Sequence, residues 1–198
     1  NFPVATISYL IHSCLSEKIS EKGYKVAISG TAADELFTGY YDHFNLHLSS
    51  LYNKSIYHEK LSDWNKYIKP VVRNPYLKDP ELYIKNKNCR EHIFLKNIEF
   101  EKLLKNNFHE DFKEELYSKN LLHNRMMNEL FHEGTRVILN EDDLNSMMNS
   151  IENRSPFLDR HLAEFAYTIP YEFLIDKGYG KIVLREAVKG ILNEKVRL

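Results

Sequence analysis

A chain of 198 residues suits one domain, or most of a larger one, and its 43% hydrophobic content with a mean hydropathy of −0.48 allows a core, though a lean one. A formal net charge of −1 gives no global reason to expect nucleic acid or an anionic membrane as partner, and no apolar run approaches the ~18 residues a membrane helix needs. Cys14 and Cys89 form no C-x-x-C pair, so both are expected as buried free thiols in a reducing compartment, which points to the cytoplasm. The absence of a signal peptide and a first residue of Asn1 suggest a chain trimmed at its start.

In chain order, apolar residues recur at Ile7, Leu10, Ile11, Cys14, Leu15 and Ile19. That spacing predicts a helix over 5–22, stopped by Gly23 at the C′ position. Val26-Ala27-Ile28 then reads as a short strand. Small residues, Ser29 to Ala33, follow it, then Asp34-Glu35 and the apolar pair Leu36-Phe37. A strand running into a small-residue loop and a helix places that loop where α/β sheets bind ligands. Small side chains let a phosphate approach backbone N–H groups, and an acid beside them suits Mg²⁺. The same order also fits an ordinary strand-to-helix turn, with both acids favouring the positive end of the helix.

The middle, 41–133, reads as several helices punctuated by Pro70, Pro75 and Pro80. Asp79-Pro80-Glu81 reads as a helix start, and the helical period continues over 108–131. His43 and His47 are spaced i, i+4 as zinc ligands can be, but nothing nearby completes a set. Over 142–159 the pattern predicts a helix ending near Arg154 and a new one capped by Asp159. Glu152 and Arg154 read either as a surface ion pair or as the lining of a pocket. Over 176–188 a Gly-flanked basic loop precedes an amphipathic helix. Lys181 at its mouth can place a cation on developing negative charge, or be solvated.

Together these stretches resemble the synthetase domain of the glutamine-hydrolysing asparagine synthetase family. The first family pattern, S-G-[DE]-G-[AGS]-D-E-L-F-x-G-Y, is met by Ser29-Gly30, Asp34 to Phe37 and Gly39-Tyr40. The second, S-M-x-x-S-x-E-x-R-x-P-F-L-D, is met by Ser146-Met147, Ser150, Glu152, Arg154 and Pro156 to Asp159. The third, K-x-x-L-R-E-A, is met by Lys181 and Leu184 to Ala187. The resemblance implies an α/β chain, mostly helical here, with an incomplete ATP-pyrophosphatase (adenine nucleotide α-hydrolase-like) fold. It implies that 1–198 is the C-terminal portion of one such domain, with the N-terminal glutaminase domain and the first phosphate loop S-G-G-x-D-S absent, and inactive alone.

The implied reaction is ATP-dependent amide formation. A carboxylate is adenylated, pyrophosphate leaves, and an amine displaces AMP. Ser29, Gly30, Thr31, Asp34 and Glu35 would line the nucleotide pocket, with Asp34 holding Mg²⁺. Lys181 would steady charge at the adenylation step, and Glu152 and Arg154 would shape the acceptor side. The implied partners are a carboxylate acceptor and glutamine-derived ammonia, with a homodimer as a possible assembly. Thr31 stands where the family carries an acid, which leaves the acceptor open between aspartate and another carboxylate such as a sugar acid. Ala32 replaces a Gly, so a left-handed backbone there would be strained. A non-catalytic helical scaffold or binding module is the alternative outcome of those two changes. Unpaired edges on 26–28 would also favour self-association.

Overall fold

The structure, a computed structural model, describes residues 6–93, 97–106 and 112–198. In chain order it contains α1 (Ser8–Glu21), β1 (Val26–Ile28), α2 (Ala33–Phe37), α3 (Tyr41–Leu51), α4 (Tyr57–Asp63), α5 (Leu82–Lys85) and α6 (Asn97–Glu101). There follow α7 (Leu121–Phe131), α8 (Gly134–Met148), β2 (Glu152–Arg154), α9 (Arg160–Thr168), α10 (Ile182–Ala187) and α11 (Glu194–Arg197). The chain is thus mostly helical with a small sheet. It divides into two compact units, residues 1–36 with 126–168 and residues 37–125 with 169–198.

In the first unit α1 packs on α8, and β1 pairs with β2 in parallel, in the register Val26↔Glu152, Ala27↔Asn153 and Ile28↔Arg154. Gly23 ends α1 as expected, at φ +84°, with its N–H on Ser20 O at 2.8 Å and the Tyr24 N–H on Ile19 O at 3.3 Å. Among the described residues, however, much of the apolar face of α1 is left exposed. Ile7, Leu10, Ile11 and Leu15 are exposed while Tyr9 is buried. Cys14 is exposed as well, contrary to the expectation of two buried thiols; Cys89 is buried.

The expected helix through Arg154 stops earlier. Ser150 adopts φ +56°, and the Ile151 N–H returns to Ser146 O at 3.0 Å, which closes α8 in the way a left-handed C′ residue does. Freed from the helix, Glu152 to Arg154 find backbone partners on β1 and form a strand. Asp159 caps α9 as expected, its Oδ1 accepting the Leu162 N–H at 3.0 Å.

The second unit is built around α3, which is buried on nearly every face from Asp42 to Leu48 and again at Leu51. Its polar residues therefore need partners inside the protein. Asn45 uses both amide hydrogens on Leu77 O (3.1 Å) and Asp79 O (3.0 Å), and its Oδ1 accepts the Trp64 indole N–H at 2.8 Å. Asp42 lies 3.3 Å from His92 Nε2 and 3.4 Å from Arg125 Nε. Burial pushes its carboxyl upward, but the hydrogen bond from His92 and the charges of His43 and Arg125 outweigh that and hold it well below the usual carboxylate range. The turn at Asp79 forms as read, with Oδ1 accepting the Glu81 N–H at 2.9 Å ahead of α5. The predicted helix over 108–131 is confined to α7. Residues 112–120 are not helical, and 107–111 lie outside the described residues.

His47, also on α3, is pushed down to about 4, first by burial and then by the Lys60 charge. A depressed imidazole stays neutral in the folded state while the unfolded chain binds a proton below its ordinary 6.5. Stability therefore rises with pH between about 4 and 6.5 and is lost as pH falls through that window, on the order of 3 kcal/mol in all. Chemical denaturation at a series of pH values is expected to show that slope in the wild type. His47→Gln should flatten it relative to the wild type.

Candidate functional site

Parallel pairing delivers the loops after β1 and β2 to the same sheet edge. The Ser29 N–H continues the ladder onto Arg154 O at 2.8 Å. Beyond it, Ser29 Oγ lies 2.9 Å from Ser155 Oγ and 3.1 Å from Thr31 Oγ1. A chain of three hydroxyls thus joins the two loops, with Thr31 contributing a neutral group where the family pattern carries an acid. Gly30 has open space where a Cβ would stand: beyond its chain neighbours, no atom of the described residues lies within 4 Å. Ala32 holds φ +76° and is buried, so the left-handed backbone that suits Gly is kept with Ala in it. Asp34, half-buried, and Glu35, buried, occupy the first turn of α2.

Glu152 and Arg154 project from one face of β2, as i and i+2 on a strand must. They form a two-pronged pair, Arg154 Nε to Oε1 at 2.9 Å and an Nη to Oε2 at 3.3 Å, both side chains exposed. Hydrogen bonding from Arg154 holds the Glu152 carboxyl below its ordinary value, and Glu152 raises Arg154 in turn. On the other face, Asn153 Oδ1 and, on α8, Asn145 Nδ2 are buried without partners among the described residues. Both residues line a cavity of about 260 Å³ between α1, β1 and α8, which Ser29 also lines. His12 and Asp142 pair there at 2.6 Å.

Lys181 belongs to the second unit. Asp176 and Tyr179 exchange backbone hydrogen bonds at 3.0 and 2.8 Å, with Lys177 at φ +48° and Gly178 at φ +78° between them. Two positive φ values in the middle positions mark a type I′ hairpin turn. A Cβ on Gly178 would lie 2.3 Å from the Tyr67 Cβ. The Asp176 carboxylate is held by Lys60. Lys181 itself sits at φ +58°, its N–H donating to Phe37 O at 3.0 Å and reaching Thr38 Oγ1 at 3.3 Å. Arg185 closes the loop from below, its Nε donating to Gly180 O at 3.0 Å and its guanidinium lying 5.2 Å from the Tyr179 ring centre.

A family profile described as asparagine synthase matches residues 3–197. The chain belongs to the asparagine synthase family. Among curated proteins of Bacillus subtilis (strain 168), glutamine-hydrolyzing asparagine synthetase 3 is 37% identical over 59 residues, and glutamine-hydrolyzing asparagine synthetase 1 is 42% identical over 59 residues. Each alignment covers 30% of this chain, but only 10% and 9% of the respective relatives. No solved structure matches.

Within the first unit the structure therefore brings Ser29, Gly30 and Thr31 to one sheet edge beside the Glu152–Arg154 strand, with Asp34 and Glu35 on the helix that follows. Sequence reasoning missed Ser155, whose only signal is its place between Arg154 and Pro156. It also missed Thr38 and Arg185. Arg185 lies inside the third family pattern, whereas Thr38 falls on an unspecified position of the first.

Gly178→Ala is expected to cost about 2–4 kcal/mol, since it combines a left-handed backbone with a collision against Tyr67. Thermal or denaturant unfolding measures it.

Proposed function

We propose that this chain contributes to the site of an ATP-dependent ligase that forms an amide on a carboxylate through an acyl-adenylate, releasing pyrophosphate and then AMP. The observation that carries the reading is the Ser29–Thr31 loop at the carboxyl end of a parallel strand, tied by Ser155 to the Glu152–Arg154 strand and followed by Asp34. Open space at Gly30 gives a phosphate room to approach the backbone. The cavity beside Ser29 offers an unpartnered donor and acceptor to a polar, flat group, which suits a nucleobase.

Asp34 fits Mg²⁺ as a single carboxylate that is completed by phosphate oxygens and water, the coordination this ion favours. Glu35 is buried and serves less well as a ligand. The ion would neutralise charge on the departing pyrophosphate. In this reading, taken from the family resemblance, Lys181 would supply a cation to the charge that develops as the carboxylate attacks phosphorus. Glu152 and Arg154 present paired charge to the acceptor side. The ATP-pyrophosphatase architecture, a glutamine-derived ammonia supply and an acceptor that is aspartate or a sugar acid belong to the same reading. A second reading, a non-catalytic scaffold, is favoured by one observation: Thr31 puts a neutral hydroxyl where the family places an acid.

ATP–pyrophosphate exchange by the full-length product of the gene, with Mg²⁺ and a panel of carboxylates, decides between them. Exchange is expected with at least one acid, lowered about 100-fold or more by Asp34→Asn and by Lys181→Gln. Gly30→Ala should leave stability within about 1 kcal/mol, because its Cβ meets nothing, yet raise the KM for ATP roughly tenfold. A folded protein with no exchange on any acid supports the scaffold.

A further inference from the structure

We propose that Ser29, Thr31 and Ser155 select the acceptor, and that they take a carboxylic acid whose neighbouring carbon bears an oxygen, as a hydroxyl or a ring ether, rather than an ammonium. The inference rests on the nucleotide reading above, in which a phosphate approaches the backbone at Gly30. All of these residues belong to the first unit. An acyl-adenylate joins the acyl carbon to phosphorus through one oxygen, so the substituents beside that carbon fall near the residues that flank Gly30. Consecutive residues lie ~3.8 Å apart, and the two that flank Gly30 are Ser29 and Thr31. With Ser155 they present a row of hydroxyls: Thr31 Oγ1 lies 3.1 Å from Ser29 Oγ, and Ser29 Oγ lies 2.9 Å from Ser155 Oγ.

A hydroxyl has one proton to donate and two lone pairs with which to accept. The two links within the row use two of its three protons, which leaves one to donate outward. A hydroxyl or ether oxygen on the ligand accepts that proton. An ammonium has no lone pair with which to accept it, and a plain methylene leaves it unpaired. Charge argues the same way. The row is neutral, and the two charges of β2 compensate each other, Arg154 holding Glu152 at 2.9 and 3.3 Å. The acid nearest to Thr31 along the chain, Asp34, stands in the first turn of α2, where the same reading gives it to Mg²⁺. An ammonium brought to the row would give up water without gaining a carboxylate. The row is also shaped in advance. Thr31 is β-branched and tied to Ser29, and Ala32 beside it holds φ +76° in a buried position.

L-malate, L-aspartate and succinate differ at a single carbon, which bears a hydroxyl, an ammonium or only hydrogen, and D-galacturonate places a ring oxygen there. Calorimetric titration of each acid into the full-length product of the gene, with Mg²⁺ and α,β-methylene-ATP present, reads the selection without turnover. Malate or galacturonate should bind roughly tenfold tighter than aspartate and succinate. Thr31→Val keeps the shape and removes the hydroxyl, and should bring that preference to within about twofold. Thr31→Glu should turn it in favour of aspartate, since a carboxylate then faces the ammonium. If the variants at position 31 do not fold, Ser155→Ala tests the row from its other end and should narrow the preference in the same way. The selection is overturned if aspartate or succinate binds as tightly as the better oxygen-bearing acid, if none of the four acids binds, or if the folded hydroxyl-deletion variant keeps the wild-type preference. Pyrophosphate exchange separates this inference from the reaction. Binding in the expected order without exchange keeps the selection and removes the reaction, whereas exchange best supported by aspartate keeps the reaction and overturns the selection.

Discussion

The parallel pairing of β1 with β2 is the constraint on which the first unit depends. Two strands of three residues each bring together segments 126 positions apart, as the Ser29–Ser155 contact measures. Parallel strands end on the same edge, so the chain leaves both at one place. An antiparallel pair would have sent the small-residue loop and the Ser155 loop to opposite ends. The register matters as much as the direction. With Ile28 opposite Arg154, Ser29 falls beside Ser155. A slip of one residue would turn Glu152 and Arg154 to the other face, where Asn153 now lies.

The second unit rests on a different kind of specification. Its central helix α3 carries Asp42, His43, Asn45 and His47 into the interior, where each uncompensated polar group costs about 1–3 kcal/mol. Asn45 resolves this by satisfying both of its donors and an acceptor at once, tying the 77–79 segment and Trp64 to one side chain. An apolar residue there would pack, but it would leave Leu77 O, Asp79 O and the indole N–H without their partner. The polar network thus fixes which segment lies against α3, whereas hydrophobic burial alone is indifferent to partner.

These two devices explain what could be read from the sequence. Signals confined to a few neighbouring residues were legible. Val26-Ala27-Ile28 before small residues is a strand and a turn, Gly23 stops a helix, and Asp159 caps one. The periodicity of α1 was legible too, but not its environment, since a 3.6-residue repeat gives the face without saying what covers it. The strand Glu152-Asn153-Arg154 was not legible. Three polar residues have little strand preference of their own, and their conformation comes from hydrogen bonds to residues far upstream. Nor could a left-handed Ser150 be foreseen as the stop of α8, since Gly is the usual residue there. The candidate site was legible as three family patterns. The Ser155 bridge and the Thr38 support of Lys181 were not, because both depend on contacts across more than a hundred residues.

Left-handed backbone at residues other than glycine marks the same places. Ala32, Thr38 and Lys181 all hold φ between +58° and +76°, each at a cost of about 1–2 kcal/mol against a right-handed conformation. Such strain persists only where surrounding contacts over-determine it. Here Thr38 is buried and bonded through its hydroxyl to Leu174 O at 3.2 Å, Lys181 is held by Phe37 O, and Ala32 is enclosed with its carbonyl accepting the Leu36 N–H at 3.0 Å. A Gly at 32 would reach the same conformation without strain but would visit others as readily. With Ala the folded chain meets the conformational cost once, during folding, and the loop is already shaped when a ligand approaches. That is the physical content of preorganisation: the ordering cost is removed from binding and charged to stability.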